Sequence, residues 1–327
     1  MEQRLLGTTG LQVSRLALGT MTWDRGTDAE TARAQVHAFL DAGGNLIDTA
    51  DVYADGMSER ILGSILEDPR LRSRSIIATK AVSRPGTPRR FDASRQHILQ
   101  ALDRSLERLG VDHVDIWQMH VWDAFTPIEE TLAAMDDAVR SGRVNYIGVS
   151  NYSGWQLAQA VTWQRAVSGR SPIISTQMEY SLLQRGIERE VLPAAQAMGV
   201  GILPWSPLGR GVLTAKYRHS APVDSRASSE AFGPFVQAYL HDRHRRVVDG
   251  VAMAAEGLGV SPAEVALAWV RDRPGVVSPI VGARTLEQLH AALATEELEL
   301  PEEIAQALDD VSTPSSGYPE SGIYQRS

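Results

Sequence analysis

The alternation of short apolar runs with amphipathic helical patterns, kept up from residue 15 almost to the end of the chain, restricts the fold more than any other feature. Strand candidates lie at 15–18, 46–48, 75–80, 114–120, 144–150, 173–177, 199–204 and 276–281. A helix opened by Asp28 runs to about residue 42. Further helical patterns cover 58–67, 92–109, 127–141, 153–167, 187–198, 236–257 and 262–273. Asp92, and Thr126-Pro127 with Glu129 and Glu130, mark helix starts by capping and by proline in the first turn. Eight strands, each followed by a helix, favour a closed parallel barrel over an open sheet. An open dinucleotide-binding sheet calls for Gly-x-Gly-x-x-Gly after a strand, and Gly209-Arg-Gly211 lacks the third glycine.

The architecture read from this pattern is α/β: a (β/α)8 TIM barrel in which residues 1–327 form a single domain. A β-hairpin over 2–14, turning at Thr8-Thr9-Gly10, precedes it and is expected to cap the amino-terminal end. The stretch 207–235, rich in Pro and Gly, is expected to be a long loop on the strand-end face, acting as a lid or binding loop.

Charge and cysteine content remove several function classes. With 32 basic and 40 acidic residues the net charge is −8, which disfavours nucleic acid and acidic membrane surfaces as partners. Without cysteine there is no disulfide, thiolate nucleophile or cysteine metal site. No apolar run reaches transmembrane length and the N-terminus is not leader-like, so a soluble, cytoplasmic protein is expected. No metal site is expected: His-Glu-x-x-His does not occur, and His241 and His244 stand among arginines.

Four polar residues stand at strand ends or just after them: Asp48, Tyr53, Lys80 and His120. In a barrel these ends meet on one face although they lie far apart in the chain. A tyrosine titrates near pH ~10, and an adjacent ammonium favours its phenolate. Lys80 is therefore expected to lower the pKa of Tyr53, with Asp48 holding Lys80 charged and in place. Tyr53 then becomes a candidate general acid, and His120 a hydrogen-bond donor to the same acceptor.

The segment Asp41-Ala-Gly-Gly-Asn-Leu-Ile-Asp48-Thr-Ala-Asp-Val-Tyr53, followed by Gly56-Met-Ser-Glu59, resembles the signature of the aldo-keto reductases. The Gly-x-Ser-Glu ending is similar to the branch that includes potassium-channel β subunits and many bacterial reductases. The resemblance implies that Asp48, Tyr53, Lys80 and His120 are the catalytic tetrad. It implies reduction of a small aldehyde or ketone by hydride transfer from NADP(H). Ser150, Asn151 and Gln177 would bind the nicotinamide carboxamide, and Trp205 would stack on its ring. Gly19, Thr20, Met21 and Asp48 would also contact the cofactor. Ser206, Leu208, Gly209 and Arg210, with Lys216 close by, resemble the pyrophosphate loop. Arg226, Gly282, Arg284 and Gln288 resemble the adenosine-phosphate end, where an arginine fork suits a 2′-phosphate.

The chain departs from the family pattern at Ala291 and Ala292, where members commonly carry Glu and Asn against the adenine. Weaker cofactor binding than in typical members is expected. The substrate pocket is expected near Trp23, Tyr53, His120 and Trp122 and the 207–235 segment, although either tryptophan could simply pack a loop. Two other readings stay open: an NADP(H)-binding regulatory module of the β-subunit kind, and a keto-sugar reductase of a biosynthetic pathway. Oligomeric state is not legible.

Overall fold

The computed structural model describes residues 1–218, 233–315 and 317. Strands β1 (Gln3–Leu5) and β2 (Gln12–Ser14) form the antiparallel hairpin. The hairpin closes one end of the barrel, where Leu6 and Val13 are buried with Ala17, Leu46, Ala78, Ile116, Ile174 and Leu203. Eight parallel strands then form one sheet: β3 (Ala17–Gly19), β4 (Leu46–Asp48), β5 (Ile76–Ala81), β6 (Val114–Met119), β7 (Val144–Ser150), β8 (Ile173–Glu179), β9 (Gly201–Trp205) and β10 (Ile280–Val281). The sheet runs in chain order from β3 to β9, with β10 beside β3. It comes close to full closure where Ile202 donates to Gly275 at 3.2 Å and accepts from Val277 at 2.9 Å.

The helices are α1 (Ala29–Asp41), α2 (Met57–Leu66), α3 (Pro69–Arg72), α4 (Arg95–Leu109), α5 (Ile128–Arg140), α6 (Gly154–Ala166), α7 (Val191–Ala197), α8 (Gly233–Gln237), α9 (Asp242–Leu258), α10 (Pro262–Arg271), α11 (Leu286–Leu293) and α12 (Glu302–Ser312). The first helix shows how local chemistry sets the elements. Asp28 caps it by accepting from the Thr31 backbone N–H at 2.8 Å. Ala32, Val36, Phe39 and Leu40 form its buried stripe at helical spacing. It stops at Gly43, whose φ of 84° is left-handed. A side chain at Gly44 would meet the Phe39 ring at 2.4 Å, so the chain turns into β4 only with glycine there. That turn delivers Asp48 to the carboxyl end of β4.

Several element bounds differ from the sequence reading. The last strand is only Ile280–Val281, because Pro279 has no N–H to extend the ladder. The seventh starts at Gly201, since Gly199 is spent on a left-handed turn at φ 58°. Helix 92–109 begins at Arg95, because the Asp92 carboxylate is held by Arg84 and the Ser94 N–H. The helix expected over 236–257 is two, α8 and α9. Within 207–235 the structure has a 3-10 turn, Gly209–Thr214, and the start of α8. No single helix among the described residues is long and apolar enough to cross a membrane.

Candidate active site

Asp48 and Lys80 are buried side by side at the ends of β4 and β5. The Lys80 Nζ donates to Asp48 Oδ2 at 2.6 Å, to the Thr49 carbonyl at 2.7 Å and to the Tyr53 hydroxyl at 3.5 Å. Tyr53 opens a tight turn, Tyr53–Gly56, in which Ala54 and Asp55 take left-handed φ values of 48° and 55°. Such residues cost about 1–3 kcal/mol each and persist where surrounding contacts over-determine them. Here the anchor is Ser58 at the start of α2, which donates to the Thr20 carbonyl and bonds the Thr20 hydroxyl at 2.7 Å. The turn is thereby tied to the end of β3, and the phenol is held over Lys80.

Electrostatics then select protonation states. Burial disfavours the Lys80 ammonium, but Asp48 and Tyr53 outweigh it, and its pKa lies above the ordinary lysine value. Burial raises the Tyr53 phenol, and the Lys80 charge only partly offsets this. Lys80 acts on Tyr53 in the expected direction, but desolvation is the larger effect, so the net shift is upward and the phenol keeps its proton at neutral pH. His120 follows β6, and burial, with the Lys80 charge behind it, pushes its imidazole down to about 3. It is neutral at pH 7, its ring meets Tyr53 edge-on at 6.1 Å, and its buried Nδ1 has no partner among the described residues.

These groups open onto a cavity of about 520 Å³ at the carboxyl ends of the strands. Asp48, Tyr53 and His120 line it, while Lys80 stands behind them. Gly19, Thr20 and Met21 line it from the end of β3. Ser150, Asn151 and Gln177 line it from β7 and β8, and they are bonded to the cluster itself. Gln177 Nε2 donates to Asp48 Oδ1 at 2.8 Å. Ser150 Oγ donates to the Gln177 carbonyl at 2.9 Å, and Asn151 Nδ2 to the His120 carbonyl at 2.9 Å. Trp205 donates its Nε1 to Asn151 Oδ1 at 3.1 Å, which fixes the indole at the rim. Ser206, Leu208, Arg210 and Lys216 continue the wall. Gly282, Arg284 and Gln288 with Ala291 and Ala292 form the far end.

Other expected site residues lie elsewhere. Trp23 is fully buried in the core, with Nε1 donating to Gln35 Oε1 at 3.1 Å. Trp122 stands edge-on to Tyr152 at 5.1 Å and to Trp155 at 5.4 Å, outside the cavity wall. Neither lines this cavity: each indole finds its apolar contacts in packing. Gly209 is buried beneath the wall, facing Leu183. Arg226 lies outside the described residues.

Sequence reasoning missed three residues here. Gln118 is fully buried on β6 and donates to Asp48 Oδ1 at 3.4 Å. A polar residue in an apolar strand, two before His120, was its available signal. Asp51 is a carboxyl that burial and the nearby Glu59 charge push up to about 7, and its Oδ1 has no partner among the described residues. Phe235 on α8 lines the cavity and faces Trp205. It lies at the end of the 207–235 segment expected at the pocket, but nothing singled it out within that stretch.

The family model described as the aldo/keto reductase family matches residues 15–313. "Uncharacterized oxidoreductase YrpG" of Bacillus subtilis is 38% identical over 323 residues, covering 95% of this chain and 96% of that protein. "Probable voltage-gated potassium channel subunit beta" of Oryza sativa is 38% identical over 293 residues, 88% and 89% of the two chains. "Versiconal hemiacetal acetate reductase" of Aspergillus parasiticus is 33% identical over 346 residues, 98% and 99% of the two chains.

Proposed function

The chain belongs to the aldo/keto reductase family, and on that premise we propose that it reduces an aldehyde or ketone to an alcohol with NADP(H), Tyr53 being the proton donor. The observation that carries this reading is the buried Asp48–Lys80–Tyr53 contact, with a neutral His120 beside it on one cavity wall. The phenol holds its proton at neutral pH, as an acid must. Once the proton has gone to the carbonyl oxygen, the buried Lys80 charge stabilises the phenolate left behind. Asp48 keeps that charge in place. Neutral His120 hydrogen-bonds the same oxygen and orients it, but does not supply an imidazolium proton.

The cavity fits a nicotinamide dinucleotide in its chemistry: amides and a flat indole near Tyr53, cationic side chains toward Arg284. When bound, this cofactor supplies the hydride. Ser150, Asn151, Gln177 and Trp205 would hold its ring, with Gly19, Thr20 and Met21 beneath. Ser206, Leu208 and Lys216 would face the pyrophosphate, and Gly282, Arg284 and Gln288, with Arg226, the adenosine end. Arginine there favours NADP(H) over NAD(H). Ala291 and Ala292 line the cavity but offer no polar contact, which supports a weaker hold on the adenine. The location is read as cytoplasmic and the partner as a small carbonyl compound.

A second reading, an NADP(H)-binding subunit, is favoured by the likeness to proteins named as potassium-channel β subunits. NADPH consumption with a reactive aromatic aldehyde separates the two. Turnover by the wild type, abolished in Tyr53→Phe with NADPH binding intact, is the expected result. Binding without turnover across a broad carbonyl panel favours the subunit reading, and absence of NADPH binding refutes both.

A further inference from the structure

Arg210 is the point at which family resemblance and geometry part. Resemblance assigns it to the pyrophosphate. In the structure each of its three guanidinium nitrogens already has a protein acceptor. Nε and Nη2 donate to the two carboxylate oxygens of Glu179, at the carboxyl end of β8, at 2.8 and 2.7 Å. Nη1 donates to the Phe235 carbonyl on α8 at 2.7 Å. The guanidinium lies 3.6 Å from the centre of the Phe235 ring and 4.9 Å from that of Tyr239. Tyr239 donates its hydroxyl to Glu179 Oε1 at 3.0 Å. Arg210 takes φ 60°, between Gly209 at 55° and Gly211 at 91°, so three consecutive left-handed residues turn its side chain back onto β8.

We propose that Arg210 is not a phosphate ligand in this chain but the positioning residue of a latch, fastening α8 to β8 so that Phe235 becomes a fixed wall opposite Trp205. The proposal rests on the reductase reading for the identity of what the cavity holds. The Arg210 and Glu179 side chains are 14% and 15% exposed. Moving Arg210 onto a phosphate would leave a largely buried carboxylate without its cation, next to a further negative group. The latch also sets the geometry of the stacking site. The Phe235 and Trp205 rings are nearly parallel, at 14°, with centres 6.2 Å apart. A third ring between them would need about 7 Å, twice the carbon–carbon contact distance of about 3.5 Å. No flat ring therefore fits between Trp205 and Phe235, and a ring that stacks on Trp205 must use its other face.

The test is a double-mutant cycle of Glu179→Gln and Arg210→Met in the full chain, with Phe235→Ala as a third variant. Chymotryptic cleavage after Phe235 and Tyr239 is followed without cofactor, and NADPH affinity by quenching of tryptophan fluorescence. A latch requires both single variants to be cleaved about tenfold faster, and the double variant to lie within about twofold of either. Their NADPH affinities move together, and Phe235→Ala shifts affinity in the same direction with the ion pair intact. The latch is overturned if Arg210→Met alone loses NADPH affinity about tenfold while Glu179→Gln keeps or improves it and cleavage is unchanged. A wild type that binds no NADPH refutes the reductase reading, and the cleavage rates still decide the latch. Glu179→Asp, which keeps the charge, serves if Glu179→Gln does not fold, and is expected to be cleaved at an intermediate rate.

Discussion

Replacing Asp48 by Asn removes a charge and almost no volume, so its consequences follow from electrostatics alone. Lys80 is fully buried, and its strongest contact is the 2.6 Å bond to Asp48 Oδ2. Removing one partner of a buried pair leaves the other uncompensated, at a cost of about 3–5 kcal/mol. The sign of the pH dependence must also change. In the wild type the Lys80 pKa is raised on folding. Its contribution to stability is therefore complete below the unfolded value of about 10.4 and is lost as pH rises through the folded value. In Asp48→Asn, burial, the largest influence on Lys80, is opposed only by Tyr53, and the folded pKa falls below the unfolded one. The unfolded chain then binds more protons, and stability rises with pH instead of falling. Over pH 7 to about 10 the Lys80 contribution is flat in the wild type and rises with pH in Asp48→Asn, and urea denaturation of both proteins reads that difference in slope. Parallel slopes, or a loss of under about 1 kcal/mol at pH 7, would show that Asp48 does not hold the Lys80 charge.

Tyr53→Phe is expected to lower kcat by about 10²–10⁴-fold with the NADPH dissociation constant unchanged, measured by stopped-flow reduction and fluorescence titration. Because the Tyr53 phenol is raised on folding, wild-type reduction holds through neutral pH and falls only as pH climbs past about 10; an inflection near neutrality assigned to Tyr53 would contradict this. His120, with its imidazole pushed to about 3, should show no protonation between pH 5 and about 8 by NMR. Its depressed value adds stability that is full above about 6.5 and drains away as pH falls toward 3. Trp23→Phe is expected to cost about 1–3 kcal/mol, through lost packing and an unpaired Gln35 oxygen, while KM for carbonyl substrates stays put. A KM change of tenfold or more would return Trp23 to the pocket.

Much of the molecule was legible from the chain alone, for a physical reason. Strand and helix periods, caps and glycine stops are local, and their regular alternation leaves few closed topologies. Asp48 and Tyr53 lie five apart in one motif, and Lys80 and His120 end strands of the same sheet, so the face they share follows from topology. What was not legible depends on distance and on water. Glu179 and Arg210 are 31 residues apart, and nothing in either segment marks the other as its partner. Trp23 and Trp122 look like pocket walls at loop positions, yet an indole packs equally well in a core, and only neighbours decide. Lys80 beside Tyr53 was readable as a charge that lowers a phenol pKa. Burial, a property of the whole fold, outweighs it and leaves the phenol protonated. The sequence by itself determined the barrel and the convergence of Asp48, Tyr53, Lys80 and His120 at the carboxyl ends of its strands. Tertiary structure alone decided which charges pair, which rings face one another and which groups keep their protons, because each depends on desolvation and on contacts between residues far apart in the chain.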